Sequence, residues 1–269
     1  MAFREWGDPG DPGILLWPGL GAVGSYFAGI ASALPGRSVA VDPPGFGRSD
    51  PLDPCSYERL VEIARSAIAA HDCMAMVGHS LGAYVAAGLA IDPPERLRAV
   101  VLIDGGFLTA AGLHELGMPV LDGRERLIAW LQQNRQRFPD WEAAVDGIAE
   151  MTGAEPTPAL ESYLRDVMIE VDGEIHNAEP AERSADSVLA VHAANVPALA
   201  ANIKIPTLLL ACGQPEQQRQ AKEQAWRSFA QSSPLIELRV GDQWTHNPIL
   251  QNPETLAGII ATWLTPHLY

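Results

Sequence analysis

Short apolar runs bounded by Gly, Pro and Asp stand towards both ends of the chain, at residues 13–17, 38–42, 73–78, 99–104, 206–212 and 235–240. Runs of this length that end in turn chemistry read as buried strands of a mostly parallel sheet. Helical stretches lie between them. Residues 56–70 place Leu60, Ile63, Ala64 and Ile68 on one side, and residues 81–91 are rich in Ala and Gly. This alternation predicts an α/β fold with a doubly wound, mostly parallel sheet, whose working site lies at the carboxyl ends of the strands.

The alternation stops over residues 107–205. Helical patches at 124–136, 158–171 and 184–195 follow one another there with no convincing strand, and Pro139, Pro156, Pro158, Pro180 and Pro197 mark the breaks. The expected organisation is a core of residues 1–106 and 206–269 carrying a helical lid inserted at 107–205. Neither internal repeats nor low-complexity tracts interrupt this plan.

Composition narrows the class. A chain of 269 residues that is 47% hydrophobic can bury a substantial core. Its 33 acidic and 18 basic residues give a net charge of -15, which repels phosphate backbones and anionic head groups; nucleic acid and membrane surfaces are therefore set aside as partners. The same charge also serves plain solubility. Cys55, Cys73 and Cys212 form neither a C-x-x-C pair nor an even disulfide framework, and read as small buried residues in a reducing compartment. Arg4, Glu5, Trp6 and Asp8 stand where a secretory leader needs an unbroken apolar stretch, and no later run is long enough to span a bilayer, so the expected location is cytoplasmic.

Candidate chemistry begins at Gly78-His79-Ser80-Leu81-Gly82, a G-x-S-x-G sequence directly after one apolar run and before a helix. A serine on a sharp strand-to-helix turn exposes its hydroxyl, and its flanks must be small because backbones approach closely there. The alternative is a Gly-flanked Ser in an ordinary turn. A serine hydroxyl attacks only with a base beside it. Of the 7 histidines, His246 alone lies in a loop just after the last predicted strand and before a terminal helix expected over 253–264. His79, beside the serine, reads as a packing or orienting residue, and His71, His114, His176, His192 and His267 as helix-face, insert or tail residues.

Two carboxylates fit the order Ser, acid, His. Asp104 closes the run at 99–103, and Glu216 follows the run at 206–212 by way of Gly213. Asp104 is preferred because a strand end holds it rigidly, with Glu216 as the alternative. For Asp104 the bland reading is a strand-end residue that caps turn amides. The segment Trp17-Pro18-Gly19-Leu20-Gly21 is suited to supply an oxyanion amide, so the backbone N–H groups of Leu20 and Leu81 are the expected donors.

Together these segments resemble the α/β-hydrolase superfamily over the whole chain except the insert. Asp42-Pro43-Pro44-Gly45-Phe46-Gly47-Arg48-Ser49-Asp50 looks like that family's D-x-P-G-x-G-x-S turn, and His246 precedes Pro253-Glu254 at the family's usual spacing. The resemblance implies Ser80 as nucleophile, His246 as base, Leu20 and Leu81 as oxyanion-hole amides, and neither metal nor organic cofactor. Two departures stand out. Pro18-Gly19 replaces the His-Gly of many members, and Glu216 stands where many have Asp. Asp104 occupies the strand-end position of the acid in haloalkane dehalogenases, but those use an aspartate nucleophile, so Ser80 argues against dehalogenation.

The expected activity is hydrolysis of an ester-type bond (carboxylic ester, lactone or thioester) in a small, moderately hydrophobic acyl substrate. Carbon-carbon bond hydrolysis and perhydrolysis run on the same triad and stay open. Trp17, Phe107, Leu108, Met118, Trp130, Met151, Met168 and Trp244 are candidates for an apolar wall, with insert core as the bland reading of each. Two other classes compete. A ligand-binding protein on the same fold leaves an intact Ser-acid-His set idle. An NAD-dependent reductase would use the literal G-x-G-x-x-G of Gly19 to Gly24 with Asp42, and leaves Ser80 and His246 without a role.

Overall fold

The computed structural model describes residues 1–269. In chain order the strands are β1 (Ala2–Trp6), β2 (Gly13–Trp17), β3 (Arg37–Asp42), β4 (Cys73–His79), β5 (Ala99–Ile103), β6 (Arg137–Phe138), β7 (Met168–Val171), β8 (Glu174–Asn177), β9 (Thr207–Cys212) and β10 (Ile236–Gly241). Seven of them form one sheet in the order β1-β3-β2-β4-β5-β9-β10. Only β1 runs antiparallel, against β3; every other neighbouring pair is parallel. The six apolar runs read from the sequence are the six parallel strands. β1 was not anticipated, because Arg4 and Glu5 interrupt its apolar character, as an edge strand permits.

Helices cover both sheet faces. Strands β2, β4, β5 and β9 are buried along almost their whole length because their side chains alternate between two cores. One core joins Leu15, Met76, Val100 and Leu209 to the helices Tyr57–Ala70 and Leu81–Ile91. The other joins Ile14, Val77, Val101 and Leu208 to the terminal helix Pro253–Leu268. Helix Tyr57–Ala70 starts where Ser56 accepts a hydrogen bond from the Arg59 amide, a side-chain N-cap. No helix is long and apolar enough to cross a membrane.

Between β5 and β9 the chain leaves the sheet. Helices Arg124–Gln133, Trp141–Thr152, Pro158–Val167 and Ala181–Ala193 dominate this insert and enclose two small cores of their own. The expectation of a segment without strands is corrected here: β6, β8 and β7 form a three-stranded antiparallel sheet. Residues 168–171, expected as the end of a helix, are strand. The cause is local, since Asp172 (φ 53°) and Gly173 (φ 81°) both adopt left-handed backbone. That pair makes the tight turn whose twist matches antiparallel strands, so the chain folds back as a hairpin.

Candidate active site

Ser80 sits on the turn between β4 and helix Leu81–Ile91 with φ 52° and ψ -115°, a backbone region that costs a non-glycine residue about 1–3 kcal/mol. Its amide is held by the carbonyl of Ile103 on the neighbouring strand at 2.8 Å. Gly78 and Gly82 allow the turn to close, since a Cβ at Gly78 would overlap the Gly82 carbonyl and one at Gly82 would overlap that of Trp17. The hydroxyl is thereby presented at the carboxyl edge of the sheet. Across from it, a Cβ built on Gly19 would stand 2.9 Å from Ser80 Cβ, so the loop carrying Leu20 passes against the serine. The N–H groups of Leu20 and Leu81 take part in none of the loop, cap or side-chain hydrogen bonds.

His246 lies in the loop after β10. Its Nε2 is 3.0 Å from Ser80 Oγ, and its Nδ1 is 2.7 Å from Asp104 Oδ2. A carboxylate only accepts, so Nδ1 carries the proton and Nε2 is left to accept from the serine hydroxyl. The loop is braced from two sides. Gln251 Oε1 accepts from the Thr245 amide at 2.8 Å, and Thr245 Oγ1 donates to the Thr152 carbonyl of the insert at 2.7 Å. His79 Nε2–H donates to the His246 carbonyl at 2.7 Å, while its ring stacks on Tyr26 at 5.1 Å and Tyr26 donates to Asn247 Oδ1 at 3.1 Å. Burial, joined by repulsion from His246, outweighs the bond to the His246 carbonyl and the charge of Asp104 and lowers the His79 pKa to about 3, so this ring is a neutral prop.

Asp104 follows β5 directly and is fixed by three donors. Its Oδ2 receives His246 Nδ1–H and, at 2.9 Å, Lys222 Nζ; its Oδ1 receives the Cys212 amide at 3.1 Å. Burial alone pushes this carboxyl up, but the hydrogen bond and charge of His246 and the ammonium of Lys222 outweigh it, and the net shift is downward. Glu216, the alternative acid, stands apart at the start of helix Glu216–Gln231. Its side chain is 72% exposed, its ion-pair partner is Arg219 at 4.0 Å, and it makes no hydrogen bond to His246.

The apolar candidates divide. Phe107, Leu108, Met118 and Trp130 line a cavity of about 320 Å³ together with Asp104, Lys222 and His246. Met151 and Met168 line a second cavity of about 250 Å³ with Leu20, Gly21 and Asn247. Trp17 lines neither, because it is wholly buried in the sheet core, and Trp244 packs over Gly241. Lys222, Gln214 and Gln218 also border the first cavity and were not singled out in the sequence. The Gly-rich segment at 19–24 opens only the short 3-10 turn Gly24–Phe27, and Asp42 spends its oxygens on the amides of Gly24 (2.9 Å) and Arg48 (3.1 Å). A pyrophosphate needs a long helix N-terminus there, and a ribose needs a free carboxylate. No three His, Cys, Asp or Glu side chains converge as metal ligands.

A family model described as "Alpha/beta hydrolase family" matches residues 14–259. The chain belongs to the alpha/beta hydrolase family. Among curated relatives of this hydrolase, "Putative carbamate hydrolase RutD" of Klebsiella pneumoniae (strain 342) is 34% identical over 112 residues, covering 39% of the chain and 41% of that protein. The 3-hydroxybutyrate-oligomer hydrolase of Cupriavidus necator is 36% identical over 136 residues, 45% of each. The chain thus spans less than half the length of the curated relatives it matches. Among solved structures, E-2-(acetamidomethylene)succinate hydrolase superposes with a TM-score of 0.73 at 18% identity, covering 97% of this chain and 94% of that one. The thioesterase domain from the curacin biosynthetic pathway gives 0.71 at 19% identity, covering 96% and 93%. At such identities the likeness shows the fold.

Proposed function

We propose that the protein is a serine hydrolase that cleaves an ester-type bond of a small, moderately hydrophobic acyl substrate through an acyl-enzyme on Ser80. The observation that carries this reading is the unbroken proton path from Ser80 Oγ to His246 Nε2 (3.0 Å) and from His246 Nδ1 to Asp104 Oδ2 (2.7 Å). In the first half-reaction His246 takes the Ser80 proton as Oγ attacks the acyl carbonyl, the Leu20 and Leu81 amides receive the oxyanion, and His246 passes the proton to the departing oxygen or sulfur. In the second half His246 takes a proton from water as its oxygen attacks the acyl carbon, the bond from that carbon to Ser80 Oγ breaks, His246 returns the proton to Ser80 Oγ, and the acid leaves. Asp104 holds the imidazole in its working tautomer and offsets the imidazolium charge.

The insert at 107–205 acts in this reading as the lid, supplying Phe107, Leu108, Met118 and Trp130 as the apolar wall beside His246. A volume of about 320 Å³ lies at the small end of ligand pockets and suits a short acyl group. Both curated relatives are named as hydrolases. Three free cysteines, two of them buried, suit a reducing compartment, and the cytoplasm is the proposed location.

The test is covalent labelling with a fluorophosphonate, followed by turnover of p-nitrophenyl esters, lactones and acyl thioesters. Labelling of the wild type and none of Ser80→Ala is the expected pair of results. An unlabelled wild type would return the chain to the ligand-binding reading. Faster turnover of a charged acyl phosphate than of neutral esters would remove the apolar-pocket assignment.

A further inference from the structure

The acid that faces His246 also faces a lysine that no part of the proposed reaction uses. Lys222 and Asp104 side chains are 6% and 1% exposed, and Nζ lies 2.9 Å from the same Oδ2 that accepts from His246 Nδ1 at 2.7 Å. Because both nitrogens bond one oxygen, they stand within about 6 Å of each other, where opposite or like charges couple strongly in a buried setting. A buried ion pair of this kind adds little net stability over apolar residues of equal volume, so stability does not account for a lysine at this position. Nor is Lys222 needed for solubility, since it is enclosed with Trp226 and Phe229 on the inner face of its helix.

We infer that Lys222 is a positioning residue: its ammonium, bonded to the same Asp104 oxygen as His246 Nδ1, holds Asp104 as an ionised acceptor and offsets part of the negative charge that Asp104 presents to His246. The inference rests on the serine-hydrolase reading above. An ordinary triad acid presents its full negative charge to the imidazole and favours the imidazolium at rest. Here the ammonium cancels much of that charge, while the three hydrogen bonds still fix the carboxylate as an acceptor for Nδ1–H. The remaining titratable groups against the pair are His79, Cys212, Tyr26 and Tyr84. Burial holds the histidine neutral by lowering its pKa and the thiol and both phenols neutral by raising theirs. Lys222 is therefore the cation that sets the charge felt by His246.

The experiment is the rate of fluorophosphonate labelling as a function of pH in wild type, Lys222→Met and Lys222→Gln, with Ser80→Ala as the blank and a thermal melt of each sample to report folding. Methionine keeps the shape of the side chain. Glutamine keeps an N–H for Oδ2, and serves should the methionine variant not fold. The expected result is that the midpoint of the acidic limb rises by about one pH unit or more in the neutral variants, because removing a cation from the pair makes it take up a proton more readily. A midpoint unchanged from wild type in a folded neutral variant, whatever its absolute rate, overturns the inference and leaves Lys222 a purely structural residue. An unlabelled wild type, or labelling of Ser80→Ala equal to it, instead overturns the serine-hydrolase reading and the inference with it.

Discussion

Replacing Asp104 by asparagine removes one charge and reverses one hydrogen-bonding atom, and both consequences follow from the three donors that converge on it. His246 Nδ1–H, Lys222 Nζ and the Cys212 amide all need acceptors, whereas an asparagine amide offers a single oxygen. If that oxygen serves Cys212, the amide NH₂ faces His246, forces the proton onto Nε2 and removes the acceptor that Ser80 needs. The loss for a triad acid changed to its amide is on the order of 10⁴-fold in kcat, or about 5 kcal/mol of transition-state stabilisation. Stability falls as well. Breaking a buried pair by removing one charge costs about 3–5 kcal/mol, and Lys222, with its side chain 6% exposed, would be left uncompensated. Turnover of an activated ester, measured well below the unfolding midpoint, and urea titration read the two effects separately. Glu216→Gln is the matched control: with a side chain 72% exposed and a weakly held ion pair, it should change stability by less than about 0.5 kcal/mol and turnover by less than about twofold. The assignment is refuted if folded Asp104→Asn keeps turnover within about tenfold of wild type, or if Glu216→Gln loses more.

Gly82→Ala would drive a methyl into the Trp17 carbonyl, so the turn must open; a loss of about 1–3 kcal/mol is expected, seen as a melting temperature several degrees lower. Stability should fall on acidification between about pH 6.5 and 4: His79 and His192 have folded pKa values lowered to about 3 and about 4 by burial, so the unfolded chain binds protons that the folded chain refuses. Each histidine contributes about 1.4 kcal/mol per pH unit across that window, and His192→Phe should remove close to half of the slope in urea midpoints. Asp104, with its lowered folded value, acts in a separate window, since its contribution is present above the unfolded carboxylate range and lost as pH falls through the folded value. Trp130→Ala should raise KM for a short acyl ester by about tenfold or more and shift preference toward longer chains, with kcat less affected; an unchanged chain-length profile would remove Trp130 from the pocket wall.

Strands buried on both faces announce themselves as unbroken apolar runs, which is why β2, β3, β4, β5 and β9 were legible almost to the residue; β10, at the other edge of the sheet, was legible instead from the alternation of Ile236, Leu238 and Val240 with Glu237 and Arg239. An edge strand has no such need, and the Arg4-Glu5 interruption hid β1. The hairpin of β7 and β8 did carry a signal, the Asp172-Gly173 dipeptide between two short alternating stretches, but helical patterning on either side outweighed it. The nearness of Ser80 and His246, 3.0 Å between Oγ and Nε2, was legible because each follows a strand end of one mostly parallel sheet. Lys222 was not, because it lies in a run of Gln, Arg and Glu that reads as a solvated helix face. Its relation to Trp226 and Phe229, four and seven positions on, places it on the apolar stripe, and that spacing is the cue by which a buried lysine betrays itself. Trp17 was misjudged for the opposite reason. A large aromatic at a strand end next to a Gly-rich loop looked like a pocket wall, whereas its alternation phase turns it into the core.

Because the carboxylate that holds His246 comes from the end of β5, the turn after β9 supplies no side chain to the hydrogen bonds that join Ser80, His246 and Asp104. Gln214, Pro215 and Gln218 border the cavity from that turn and the helix beyond it. Pro215 and Gln218 form a natural target for saturation libraries in which selectivity can be rebuilt, whereas the Gln214 side chain donates to the Asp242 carbonyl of the loop that carries His246. Lys222 sits on the same helix and marks where such a library should stop.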